Sequence, residues 1–260
     1  MINYEYFKPE SLDEVFELMQ QYGSRAELVA GGTDVMVFIK QSNHSPEVLI
    51  SLRGLTDLSY IRKNEGYHIG ALATHRMLEQ SKMVKNDLTA LHQGASQVGS
   101  VQVRNVGTLG GNICNAAPSA DTAGPLLILD AVMVLQSPEG QRRVPIEQFF
   151  IGPSETVKKD DEVLVEIEIP AEMSRFKTAY CKHARRQAMN LPIIGVSVGI
   201  LLEGDVIADS RIALTVVAPT EIASSPECCM PRDSVRCEGW YREEMVRVLI
   251  PRVARAAVGP

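Results

Sequence analysis

The chain has 260 residues, 45% hydrophobic and 22% charged, with a formal net charge of −6. That length allows one large domain or two modest ones with real cores, and the balance is that of an ordinary globular protein. There is no basic block to favour nucleic acid as the main partner and no apolar run long enough to span a bilayer. The start, Met-Ile-Asn-Tyr-Glu-Tyr-Phe-Lys, lacks the charged-then-apolar pattern of a signal peptide, so a cytoplasmic location is expected. Five cysteines (Cys114, Cys181, Cys228, Cys229, Cys237) form no C-x-x-C pair and no ferredoxin-like spacing, and five histidines are scattered without metal-ligand spacing. The chain should therefore hold free thiols and no metal or iron–sulfur cluster of its own.

Ser11-Leu-Asp-Glu14 reads as a capping box, and Leu12, Val15, Phe16, Met19 and Tyr22 fall on one helical face that belongs to a core. A strand over 27–30 feeds the glycine pair of Leu28-Val-Ala-Gly-Gly-Thr-Asp34, and 48–52 reads as a further strand. Together these make a small α/β unit of about the first 55 residues. Asp34 is expected to cap the following turn or helix rather than to touch an anion.

A second unit begins near Leu55. Residues 67–72 alternate as a strand, Thr74 caps a following helix, and Leu88, Leu91, Ala95 and Val98 keep helical spacing. His75 and His92 fall in helical segments and read as packed or solvated side chains. Next comes Gln102-Val-Arg-Asn-Val-Gly-Thr-Leu-Gly-Gly-Asn112, continuing to Pro118-Ser-Ala-Asp121. It reads as a glycine-rich loop whose successive amides form an anion-binding concavity, with Arg104 and Asn105 fixing its shape through backbone hydrogen bonds. Glycine pairs more often mark plain turns, and neither segment matches G-x-G-x-x-G or G-x-x-x-x-G-K-[ST]. Two such cradles in one chain nevertheless suit a ligand with two phosphates, gripped from two sides.

Apolar residues 126–136 lead to a turn at Pro138-Glu-Gly140 and a returning strand over 142–146. Val163-Leu-Val-Glu-Ile-Glu-Ile169 alternates as a half-buried strand whose two glutamates form a solvated face, closed by Pro170. A domain boundary falls near 170–176. Strands are expected over 177–183, 193–202 and 206–217, the last two joined as a hairpin by Glu203-Gly-Asp205. A charged amphipathic helix over 240–258 should be kinked or broken by Pro251.

The segments Ala30-Gly-Gly-Thr-Asp34 and Gln102 to Asn112, extended through Pro118-Ser-Ala-Asp121, resemble the two FAD-binding signatures of the molybdenum hydroxylase flavoproteins. These are the FAD subunits of xanthine dehydrogenase, nicotinate dehydrogenase and carbon monoxide dehydrogenase. Ile69-Gly-Ala71 with Thr74, Phe149-Phe150, Asp161 to Pro170, Tyr180-Cys-Lys182 and Val217-Ala-Pro-Thr220 follow in the family's order. The run Gly-Gly-Asn-Ile-Cys-Asn with Ser-Ala-Asp and Met-Asn-Leu-Pro-Ile-Ile-Gly195 is more like the xanthine branch than the carbon monoxide branch. Family members carry a longer helical stretch where this chain has the short, Pro- and Cys-bearing run 224–236.

The resemblance implies an α+β fold: a two-subdomain FAD-binding domain of the PCMH type over 1–172 (subdomains about 1–55 and 56–172). A small, shortened C-terminal domain over 173–260 would add an antiparallel three-stranded sheet and helices. It implies FAD contacts at Leu28, Val29, Ala30, Gly31, Gly32, Thr33, Val35, Thr108, Leu109, Gly110, Gly111, Asn112, Asp121, Leu164 and Lys182. Asp121 would accept hydrogen bonds from sugar or ribityl hydroxyls. Leu164 would offer an apolar edge or a backbone amide. Lys182, otherwise an ordinary surface lysine, would place a cation near the flavin and stabilise its reduced, anionic form. No histidine lies in either cradle, so the FAD is expected to be non-covalent.

No catalytic nucleophile or base stands out. The resemblance implies that the molybdenum cofactor and 2Fe-2S clusters lie on a molybdenum-cofactor subunit and an iron–sulfur subunit, with this chain passing their electrons to NAD or another acceptor. The competing readings are a stand-alone FAD oxidoreductase acting on a small substrate, and a non-catalytic assembly module with a decayed flavin site.

Overall fold

The computed structural model describes residues 4–41, 45–186, 189–217, 234 and 236–259. The expectations attached to Ala218, Pro219, Thr220, Cys228 and Cys229 lie outside them.

The first unit comprises β1 (Glu5–Phe7), α1 (Leu12–Tyr22), β2 (Ala26–Val29), α2 (Val35–Lys40) and β3 (Val48–Ser51). Ser11 caps α1, its hydroxyl accepting from the Glu14 amide, while Glu14 accepts from the Glu10 amide. The strands form a sheet in the order β1-β3-β2, parallel throughout. Asp34 stands at the cap position of α2, yet its side chain makes no capping bond. Its backbone carbonyl instead accepts from Val37 and Phe38.

The second unit runs through β4 (Ile61–Lys63), β5 (Gly66–Gly70), α3 (His75–Gln80), α4 (Lys82–Asp87), α5 (Thr89–Ser96), α6 (Val101–Val106), α7 (Leu109–Cys114) and α8 (Ala123–Ile128). It continues with β6 (Val132–Ser137), β7 (Gly140–Pro145), the short pair β8 (Phe150–Gly152) and β9 (Glu155–Thr156), and β10 (Val163–Pro170). The sheet β4-β5-β10-β6-β7 is antiparallel. Period-two alternation gives it two apolar faces. Tyr67, Ile69, Met133, Leu135, Ile167 and Ile169 pack with Leu78, Leu91, Leu109 and Leu126 of the helices. Val134, Val163 and Val165 pack with Val15, Phe16, Val48 and Ile50 of the first unit.

The alternation read along residues 163–169 is interrupted. A register shift between Leu164 and Glu166 in β10 sends Leu164 to the helix side together with Ile167 and Ile169. A bulge re-aims a side chain in this way at the cost of one unpaired residue. Glu166 and Glu168 fall on the opposite side, where Glu166 pairs with His68 and Glu168 with Arg143. The three groups His68, Glu166 and Glu168 lie close enough to suit a metal ion. With Arg143 and Tyr60 already engaging the two carboxylates, they read as an ion-pair network.

The last elements are β11 (Lys177–His183), β12 (Ile194–Glu203), β13 (Val206–Thr215) and α9 (Gly239–Val258). β12 and β13 are the anticipated hairpin, with Gly204 at φ 62°. Ala179, Val196, Val198 and Leu214 pack on Val246, Leu249 and Val253 of α9. Pro251 neither ends nor divides that helix, because the apolar face on either side of it is held against the sheet. Gly195, Ser197 and Gly199 alternate onto the other sheet face. There the absence of a side chain on Gly124 of α8 lets the helix approach Ser197, whose Oγ would lie 2.7 Å from an added Cβ. No helix among the described residues is long and apolar enough to cross a membrane.

Candidate functional site

β2 ends at Val29, and the chain turns through Ala30 to Asp34 into α2, at the carboxyl end of a parallel strand. Open parallel sheets bind ligands at that end. Gly32 takes φ 72°, a left-handed conformation that an L side chain rarely adopts. Among the described residues, nothing accepts from the backbone N–H of Gly31, Gly32, Thr33 or Asp34. Four successive donors without partners along a cleft, the first three half-buried and the last at its exposed edge, make an anion cradle.

The second segment differs from its reading as a loop. Val101–Val106 and Leu109–Cys114 are helical, and Gly110 and Gly111 lie inside α7. Its amides are also spent. Leu109 and Gly110 donate to the carbonyls of Ala73 and Ala71, both at 2.9 Å, and Gly111 donates to Thr108 Oγ1 at 3.1 Å. The expected nest of amides is therefore absent on this side, since the chain used them to dock α7 beside β5. What this segment leaves uncommitted at the cleft is the Thr108 hydroxyl hydrogen, the bare surface of Gly111, and the Asn112 amide nitrogen, its Oδ1 being fixed by Thr122 at 2.7 Å. Of the two residues thought to shape this segment, Arg104 bonds the Val98 carbonyl at 3.1 Å and Glu79 at 2.9 Å. Asn105 is exposed and shows no such bond.

Thr108 is the cap of α7, so Thr108→Val should lower stability by about 1 kcal/mol. The check is a reduced guanidinium midpoint at unchanged slope.

The two segments meet. A Cβ added at Gly31 would fall 2.2 Å from the Val106 carbonyl oxygen and 2.8 Å from Gly107 Cα, and one at Gly111 would fall 3.6 Å from Ala30 Cβ. Between and beside them opens a cleft of about 1490 Å³, larger than the roughly 300–1,000 Å³ of small-molecule pockets and suited to an extended dinucleotide. Leu28, Ala30, Gly31, Gly32, Thr33 and Val35 line it from one side. Thr108, Gly110, Gly111 and Asn112 line it from another, and Asp121, Leu164 and Lys182 also border it. Val29 and Leu109 turn their side chains into the cores instead.

Asp121 and Lys182 are bound to each other. Lys182 Nζ donates to Asp121 Oδ2 at 2.7 Å and to the Gln97 carbonyl at 3.2 Å. Tyr180 OH donates to Asp121 Oδ1 at 2.7 Å. Lys182 is thus no surface lysine: it and Asp121 expose only 9% and 7% of their side chains. Burial raises the Asp121 carboxyl above its ordinary value, against the pull of Lys182 and Tyr180. Desolvation together with the Asp121 charge lifts the Tyr180 phenol well above 10, so it remains a donor. At the Asp121 end, the wall of the cleft offers a neutralised pair with one spare ammonium N–H, not an isolated cation.

Gln97 belongs to this network and was not singled out from the sequence, and Tyr180 was named only within the run Tyr180-Cys-Lys182, without a role. The i, i+2 relation of Tyr180 to Lys182 on β11 was the available signal, because both must share a sheet face. Thr178, two residues earlier, follows the same rule and accepts from the Ala90 amide at 3.1 Å. His75 also lines the cleft, and Cys114, whose thiol desolvation pushes up to about 11, lines it as a protonated and unreactive group.

Residues 2–172 match the family model described as the FAD binding domain in molybdopterin dehydrogenase. The xanthine dehydrogenase FAD-binding subunit of Escherichia coli O157:H7 is 35% identical over 84% of this chain and 75% of its own length. The nicotinate dehydrogenase FAD-subunit of Eubacterium barkeri is 33% identical over 78% and 70%. Among solved structures, carbon monoxide dehydrogenase from Hydrogenophaga pseudoflava superimposes with a TM-score of 0.92 at 30% identity, covering 98% of this chain and 97% of that one. Identities this close do not single out the xanthine branch.

Proposed function

The chain belongs to the FAD-binding domain family of the molybdopterin dehydrogenases as an FAD-binding subunit of a molybdenum hydroxylase, and from that premise we propose that it is the electron-transfer subunit of its complex. It would take electrons from the 2Fe-2S clusters of an iron–sulfur subunit, reduced in turn by a molybdenum-cofactor subunit, and deliver them to NAD or another acceptor in the cytoplasm. The observation that carries this reading is the run of unpartnered amides from Gly31 to Asp34, packed against Val106 and Gly107 and lining, together with Gly111, a cleft of dinucleotide size.

The residues present fit the cofactor. The first loop would hold the diphosphate through its free amides, with the Thr33 hydroxyl, which donates to Asp34 Oδ2 at 3.4 Å, turning to join them. Thr108 and Asn112 would offer one donor each, and glycine at 111 would let the ligand approach the helix closely. Asp121 and Lys182, already paired, would present a fixed oxygen and a fixed N–H rather than a net charge. Bound there, FAD supplies both one- and two-electron chemistry, which a relay between single-electron clusters and a hydride acceptor requires.

The test begins with the purified chain. It should carry the visible absorbance of oxidised flavin and release FAD on acid denaturation, as a non-covalent cofactor must. Co-expression with the other subunits should yield a complex containing iron and molybdenum, and NADH should bleach its flavin if NAD is the acceptor. A colourless chain that rejects added FAD would refute the proposal. Flavin reduction by a small substrate without any partner subunit would favour the stand-alone oxidoreductase.

A further inference from the structure

We propose that His75 is a further cofactor-contacting residue, donating a hydrogen bond from Nε2 to a diphosphate oxygen where the dinucleotide passes between the two glycine-bearing segments. The proposal rests on the FAD reading above and assigns a role to a side chain outside both signatures.

His75 opens α3, and its backbone N–H donates to the Gly107 carbonyl at 3.0 Å, so the residue is anchored to the second segment. His75 is among the residues that line the cleft. Cδ2, the ring carbon bonded to Nε2, lies 3.4 Å from the place a Cβ on Gly107 would take, and the Thr33 hydroxyl lies 3.6 Å from that same place. The histidine edge and a hydroxyl of the amide-rich first loop therefore flank one side-chain-free spot.

His75 is 2% exposed; its Nδ1 is sealed with no hydrogen-bond partner, and its Nε2, which is not sealed, also has no partner among the described residues. The other described histidines all have one. His68 meets Glu166, His92 meets the Glu79 carbonyl and His183 meets Tyr241. With Nδ1 sealed, Nε2 is the ring nitrogen left open to a partner, and a ligand in the cleft would supply one.

Its protonation state suits the role. Burial, and then the neighbouring Arg104 guanidinium, push the imidazole down to about 4. Arg104 is itself held by Glu79, which also binds Arg76. The neutral ring carries one N–H. Placing it on Nε2 leaves only a lone pair at the sealed Nδ1, which is less costly than a sealed, unpartnered N–H.

The experiment uses the full chain stripped of flavin, titrated with FAD, ADP and riboflavin by calorimetry. His75→Leu should weaken FAD and ADP alike by about 10- to 100-fold, the range for a lost hydrogen bond to a charged group, and leave riboflavin unchanged. His75→Gln, which restores a side-chain N–H near the position of Nε2, should recover most of the loss. In the wild type with ¹⁵N-labelled histidine, the His75 signals should report the Nε2–H tautomer and shift on adding ADP. This second readout stands even if the leucine variant does not fold. Leucine and wild-type proteins binding FAD and ADP equally, or a His75 Nε2 signal unmoved by saturating ADP, would overturn the proposal and leave the FAD reading intact. Loss of FAD and riboflavin binding with ADP unaffected would also overturn it, by placing the contact on the flavin side. A wild-type chain that binds neither FAD nor ADP refutes the FAD reading itself and this inference with it.

Discussion

Gly31→Ala should deprive the protein of its flavin. The added methyl would stand 2.2 Å from the Val106 carbonyl oxygen and 2.8 Å from both Val106 C and Gly107 Cα. All three are backbone atoms, so no side-chain rotation relieves the clash. Either the first loop withdraws or α6 shifts with Gly107, and both movements separate the unpaired amides from the facing segment. Overpacking of this kind costs about 1–3 kcal/mol in ordinary cores. Here the strain falls on the cradle itself, so flavin affinity should drop at least about tenfold. The measurement is the ratio of flavin to protein absorbance after desalting, beside the thermal midpoint. Gly199→Ala is the control, because an added Cβ there meets only ordinary contacts at 3.5 to 3.8 Å. Wild-type flavin content in the Gly31 variant would show that the two segments need not touch for the cofactor to bind.

Lys182→Met should cost more stability than any surface change. It removes the cation beside Asp121, a carboxylate buried between α7 and α8 against β11, with only the Tyr180 hydroxyl left to serve it. Breaking a buried pair from one side typically costs about 3–5 kcal/mol, which for a chain of this size lowers the melting midpoint by roughly 10 °C. The pH dependence follows from the direction of the Asp121 shift. Its folded-state value already lies above the unfolded one, so its ionisation opposes folding progressively as pH rises between the two. Without Lys182 the folded value rises further and the opposing window extends upward. The variant should therefore recover toward wild type as the solution is acidified and the carboxyl regains its proton. Adding Asp121→Asn to Lys182→Met should restore part of the stability at neutral pH. A single variant as stable as wild type at neutral pH would mean that the carboxylate finds another partner or water.

Much of the local structure was legible because its causes are short-range. Ser11 and Thr74 cap helices where hydroxyl-bearing residues precede helical periodicity. β11 and the β12–β13 hairpin follow from alternation and from Gly204 at the turn. The α7 segment was misread because Gly110 and Gly111 look like loop residues. At Gly110 the bareness serves close packing, since a Cβ there would fall 2.7 Å from the Ala71 carbonyl oxygen. The break offered as one outcome at Pro251 does not occur in α9, because a local penalty is outweighed by burial against a distant sheet.

By itself, the sequence determined that this chain carries two glycine-bearing segments of a recognisable kind and enough alternating and amphipathic pattern to build sheets and helices around them. Those features depend on neighbours within a few residues, where spacing and side-chain type leave little choice. Only the tertiary structure decided that the segments touch, that the amides of one are free while those of the other are consumed, and that Asp121 neutralises Lys182. It also decided that His75 stands at the seam with no partner. These outcomes turn on which groups, far apart along the chain, are brought within hydrogen-bonding distance. That depends on how whole layers pack, which no local pattern of residues encodes.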